Sequence, residues 1–120
     1  MAVKRVLDTN AALYILAGKV VEPLPDAEYF LSFVTEMELL SYAGLAEETT
    51  QQIRDLLADI SLVINDDIKS AAIDLRRAYR LKLPDAIICA TAMMLNAELV
   101  THDAKLSIVK EIRTTRFQLK

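Results

Sequence analysis

The chain has 120 residues, enough for one hydrophobic core and too few for two independent ones, so residues 1–120 read as a single domain. Hydrophobic residues at 53% and charged residues at 26% exclude a disordered or low-complexity chain. Lys and Arg number 14 against 17 Asp and Glu, a net charge of −3, so bulk charge does not draw the protein onto nucleic acid and any such contact has to be a local patch.

Val3 to Leu7 is short, β-branched and apolar, and it stops at Asp8-Thr9-Asn10, after which Leu13, Ile15 and Leu16 follow helical spacing as far as Gly18. The pattern predicts strand, turn, helix. After a loop marked by Pro23 and Pro25, Tyr29 to Val34 reads as a second strand, and Thr35 to Leu40 starts a helix that Gly44 can close. Glu47 to Ile60 is an amphipathic helix, Leu62-Val63-Ile64 a third short strand, and Asp67 to Leu81 another amphipathic helix. Leu83-Pro84-Asp85 opens a helix apolar nearly all round through Leu95, which predicts a central, buried position, with Pro84 in the first turn where proline is tolerated. Glu98-Leu99-Val100 is a short strand ending in Thr101-His102-Asp103, followed by a short helix and an edge strand near Thr115 to Leu119. Strand-helix alternation with short links predicts an α/β fold, a three-layer α/β/α sandwich around a mainly parallel sheet.

No signal peptide is expected, since Lys4 and Arg5 interrupt the first apolar stretch and Asp8 ends it. The longest apolar run, Ala86 to Leu95, is about half of the ~20 residues a membrane span needs. One Cys and one His exclude an internal disulfide and zinc sites built from those ligands. A cytoplasmic location away from membranes is therefore expected. Two glycines cannot supply G-x-G-x-x-G or the Walker loop, so no glycine cradle for a nucleotide phosphate is present.

In parallel α/β sheets, ligands bind where strand C-terminal ends meet helix N-termini. Asp8, Glu38, Asp85 and Asp103 all fall there: directly after strands or in the first turn of the following helix. Carboxylates gathered at one edge repel one another unless a cation neutralises them. Mg²⁺ or Mn²⁺ suits all-oxygen ligands and needs neither His nor Cys. Such an ion supports phosphodiester hydrolysis, with Thr9, Asn10 and Thr101 placed to orient ligands or contact phosphate.

Four segments carry a family resemblance: Leu7-Asp8-Thr9-Asn10, Val34-Thr35-Glu36-Met37-Glu38-Leu39-Leu40, Lys82-Leu83-Pro84-Asp85-Ala86-Ile87-Ile88 and Leu99-Val100-Thr101-His102-Asp103. Their order and gaps resemble the four motifs of the PIN domain family, across essentially the whole chain, and the compact size is similar to VapC-type ribonuclease toxins. The resemblance implies a Mg²⁺- or Mn²⁺-dependent endoribonuclease that cleaves RNA, with Asp8, Glu38, Asp85 and Asp103 as catalytic metal ligands. It also implies a homodimer and, for a toxin, a cognate antitoxin protein. Many relatives carry a further acid or Asn beyond the last motif, where this chain has Ala104-Lys105-Leu106, which speaks against a second metal.

Each acid also has a purely structural reading. Thr35 to Glu38 fits the T-x-x-E capping box, Asp85 suits a helix first turn, and Asp8 and Asp103 can cap or turn the chain, with Thr9 or Asn10 ready as cap of the first helix. Only the four together favour chemistry. Glu36 points to another helix face than Glu38 and is expected in solvent, and Asp66-Asp67 is expected to cap the helix that follows. His102 has no Ser or Cys partner for a triad, and Cys89 belongs in the core. Met93 and Met94 are assigned to core or dimer packing, with Leu39, Leu40 and Tyr42, or Leu56 and Leu57, as apolar faces for pairing. Arg76, Arg77, Arg80 and Lys82 precede the Asp85 motif, and Lys105, Lys110, Arg113, Arg116 and Lys120 make the C-terminal end basic; beside an acidic centre such stretches can grip an RNA backbone. The competing reading is a catalytically weak PIN-fold module that binds RNA or regulates. A receiver-type signalling domain is disfavoured because Asp8-Thr9-Asn10 lacks an acidic pair.

Overall fold

The structure is a computed structural model and describes residues 3–63 and 65–120. Ile64, expected in the third strand, lies outside the described residues, as do Met1 and Ala2.

Five strands form one sheet in the order β3-β2-β1-β4-β5, every neighbouring pair parallel. They are β1 (Lys4–Leu7), β2 (Glu28–Ser32), β3 (Ser61–Val63), β4 (Glu98–Val100) and β5 (Thr114–Thr115). The helices are α1 (Thr9–Leu16), α2 (Phe33–Leu40), α3 (Glu47–Asp59), α4 (Asp66–Tyr79) and α5 (Leu83–Leu95), with a short 3-10 helix at Ala104–Ile108.

Alternation along the strands splits the core into two halves. Val6 and Leu99 face a cluster with Ile68, Ala72 and Leu75 of α4 and Ala86, Ile88, Cys89 and Ala90 of α5, while Leu7, Leu31 and Val100 face one with Ala11, Ala12, Leu39 and Ile53. The sheet is therefore sandwiched between α4 and α5 on one side and α1 and α3 on the other. Helix α2 lies along the seam, giving Val34 to the first half and Leu39 to the second. The small side chains Ala71, Ala72, Ala86, Ala90 and Ala92 let α5 lie close beneath α4, and α5 is buried almost all round, as its sequence requires.

Several boundaries differ from the sequence reading. The second strand ends at Ser32, not Val34: the Ser32 hydroxyl accepts the Val34 N–H at 3.2 Å and starts α2 two residues early. That leaves no capping box at Thr35. Helix α2 ends at Leu40, before Gly44, and Asn65, not Asp66 or Asp67, caps α4 by accepting the Asp67 N–H. The last strand is Thr114–Thr115; beyond it Leu119 pairs antiparallel with Val20 outside the sheet. Leu39 is fully buried and cannot be a pairing face, Leu56 and Leu57 pack against the core, and Leu40, Tyr42 and Met94 remain exposed. Cys89 is buried and Met93 packs on the core, as expected.

Candidate metal centre

The chain runs from β1 to β2 and β3 on one side, then returns to β4 and β5 on the other, so the reversal falls between β1 and β4, where a ligand crevice forms. Asp8 ends β1 at this point. Its N–H still bonds the Val100 carbonyl at 3.1 Å, while Oδ1 accepts the Ala11 N–H at 2.7 Å and caps α1, so of the caps the sequence offers, Asp8 takes the role and Thr9 and Asn10 do not. Thr9 instead turns its hydroxyl to Glu38, donating to Oε1 at 2.7 Å, with Thr35 Oγ1 3.4 Å away. Because α2 begins at Phe33, Glu38 sits in the second turn, clear of any capping role, and Thr35 is a buried hydroxyl inside the helix. Asp85 lies in the first turn of α5 and is half-buried. Asp103 follows β4; its N–H donates to Thr101 Oγ1 at 3.0 Å and its Oδ1 accepts the Lys105 N–H at 2.9 Å. Asn10 is exposed on α1.

Asp103, Glu38 and Asp8 all lie close enough to Asp85 to act on its charge. Burial, then repulsion from Asp103 and Glu38, raises the Asp85 carboxyl above its ordinary 3.8; Lys82 offsets part of this and Asp8 adds to it. Burial raises Asp8 as well, against the opposing Thr101 hydroxyl, the Ala11 N–H and His102, with Asp103 again pushing upward. Beneath them the Cys89 thiol is pushed up to about 12 by burial and then by Asp85, Asp8 and Asp103, so it stays protonated and is no nucleophile.

The donors are carboxylate oxygens under mutual repulsion, which a hard cation relieves. The residues fit Mg²⁺ or Mn²⁺. Among the described residues no three acid, His or Cys side chains close around a single point.

A cavity of about 330 Å³ is lined by Asp85 and Asp103 together with Arg80, Lys82 and Lys105. Arg80 closes α4 in the left-handed region (φ 56°), which swings the chain from the helix into this wall. Arg76 and Arg77 line an adjoining cavity of about 590 Å³, and Arg80 borders both. On the other side of Asp103, Arg116 lines a smaller cavity with Thr101 and Ser107. The sequence reading missed Thr35, taken for a cap; its position one helical turn before Glu38 was the available signal. It also gave His102 no partner, whereas the imidazole meets both Tyr14 and the Phe117 backbone.

No described helix is long and apolar enough to cross a membrane. Among curated proteins none matches the chain. Among solved structures it is similar to a toxin-antitoxin complex from Klebsiella pneumoniae, 28% identical, TM-score 0.74, covering 90% of this chain and 94% of that one. It is also similar to VapBC-1 from nontypeable Haemophilus influenzae, 25% identical, TM-score 0.75, covering 94% and 97%. VapBC2 from Rickettsia felis, bound to a DNA fragment from its promoter, shares the fold at 13% identity, TM-score 0.77, covering 96% and 99%. The PIN domain model matches residues 5–112, and the chain belongs to the PIN domain family.

Proposed function

We propose that the protein is a Mg²⁺- or Mn²⁺-dependent endoribonuclease and the toxin of a toxin-antitoxin pair. Nuclease activity with divalent metal ions is general to the family. The observation that carries the reading for this chain is the presence of both charges in one crevice, which Asp85 and Asp103 line together with Arg80, Lys82 and Lys105. Carboxylates and cations together suit a phosphodiester whose backbone needs gripping while its reacting phosphate meets a metal.

Asp8, Glu38, Asp85 and Asp103 would hold the ion. When bound, it supplies charge neutralisation at the phosphate and acidifies water. Thr9 fixes the Glu38 carboxylate, and Thr101 ties Asp8 to the Asp103 turn. Arg80, Lys82 and Lys105 bind the flanking phosphates, with Arg76 and Arg77 extending the track along α4. Asn10, exposed beside Thr9, is assigned a phosphate contact. The toxin role, a cognate antitoxin partner and a cytoplasmic setting rest on the likeness to toxin-antitoxin proteins. Homodimerisation rests on the family resemblance and on exposed Leu40 and Tyr42.

The test is cleavage of a mixed small-RNA pool by the purified chain in Mg²⁺ or Mn²⁺, with EDTA and Asp85→Asn controls. We expect cleavage leaving 5′-phosphates, abolished by EDTA and reduced more than about 100-fold by Asp85→Asn, beyond what loss of an outer partner costs. Cleavage that persists equally in EDTA and in Asp85→Asn refutes the reading. One observation favours the second reading, a PIN-fold module that binds RNA without cutting it: no three described acids close around one point. Metal-independent RNA binding without cleavage is its signature.

A further inference from the structure

His102 is half-buried and stands between Thr101, which contacts Asp8, and the candidate metal ligand Asp103. Two contacts from distant parts of the chain meet its ring. The Phe117 N–H donates to Nε2 at 3.3 Å, and the Tyr14 ring of α1 packs edge-on at 5.1 Å between centroids. Phe117 is itself anchored: its side chain is buried against Tyr29, and the following residues are tied down by hydrogen bonds from Val21 N–H to the Gln118 carbonyl and from Lys120 N–H to the Lys19 carbonyl. One imidazole thus joins three pieces, α1, the C-terminal strap and the turn that carries Asp103.

We propose that His102 is a positioning residue for the metal centre: by accepting the Phe117 N–H and seating against Tyr14, it locks the 101–105 turn so that Asp103 is presented to the ion. The role in metal binding rests on the function proposed above; the locking of the turn does not. A side chain that orients a ligand from outside the coordination shell contributes by removing the alternative orientations of that ligand.

The test compares full-length wild type with His102→Leu, which keeps apolar bulk against Tyr14 without an acceptor, and His102→Gln, whose amide oxygen can accept. Two readouts are taken, backbone amide exchange without metal and Mn²⁺ affinity by titration. We expect His102→Leu to speed exchange at Asp103 and Lys105 by about fivefold, as for one lost hydrogen bond, with α5 amides unchanged. It also weakens Mn²⁺ by about 10- to 100-fold, and His102→Gln restores both. Should His102→Leu fail to fold, His102→Asn, an amide one methylene shorter, takes its place. Exchange at Asp103 and Lys105 that matches wild type overturns the proposal. Faster exchange with unchanged Mn²⁺ affinity, in a wild type that binds Mn²⁺, also overturns it. A wild type that binds no Mn²⁺ refutes the metal centre, and the exchange data then decide the locking of the turn alone.

Discussion

The bodies of the central strands and their C-terminal ends are built on opposite rules. Val6, Leu7, Leu31, Leu99 and Val100 are apolar and at most 1% exposed. One residue further along β1 and β4, Asp8 and Thr101 are polar and still buried, joined by Ser32 at the end of β2 and Thr35 in α2. Burying polar groups costs stability unless each finds a partner, and among the described residues no buried side-chain polar atom lacks one. The hydrophobic bodies supply the stability, and the ends use some of it to hold charged groups where they repel one another.

The sharpest way to break this comparison is to remove matter from a strand body. Leu99→Ala, in a fully buried position, is expected to cost about 2–5 kcal/mol in denaturant unfolding, a large share of a small domain's stability. A cost below about 1 kcal/mol would show that β4 is not core in the way described.

Among the acids beside those strand ends the expected sign is reversed. Asp85 titrates above its ordinary 3.8 in the fold, so the folded state holds its proton more tightly than the unfolded chain. Its contribution to stability is therefore fully present below 3.8 and is lost as pH rises through the raised value. Asp85→Asn removes that loss. In EDTA, thermal unfolding should find the variant more stable than wild type at pH 7, with the gap shrinking as pH falls toward 3.8. A less stable variant at pH 7 would mean that repulsion and burial do not dominate there.

The smallest effect belongs to the basic wall. Arg80→Ala with Lys82→Ala should lower the slope of log affinity against log salt for single-stranded RNA by about 1 to 1.5, the release of two phosphate contacts, while melting is unchanged. An unchanged slope removes these two residues from the RNA track.

The fold class was legible because each strand-helix unit carries its own periodicity, and the acids stood out as candidates because they interrupt apolar runs, although Glu38 lies a turn deeper in its helix than the sequence reading had it. The turn from β2 into α2 was not. Tyr29-Phe30-Leu31-Ser32-Phe33-Val34 is apolar on both sides of Ser32, and Phe33 and Val34 suit a strand as well as a buried helix start, so only the Ser32 hydroxyl marked the change. Misplacing that boundary made Thr35 a cap and hid its position beside Thr9 and Glu38. The His102 tether spans 15 residues and joins a turn to a backbone N–H, a contact that leaves no periodic trace in sequence.

The central claim is that Asp8, Glu38, Asp85 and Asp103 form one metal centre, and Mn²⁺ titration of the purified chain addresses it most directly. The account predicts saturable binding by wild type, competed by Mg²⁺ and lost in Asp8→Asn and in Asp85→Asn, two folded variants on different elements, the end of β1 and the first turn of α5. Binding that survives both substitutions, or a folded wild type that takes up no Mn²⁺, would contradict it.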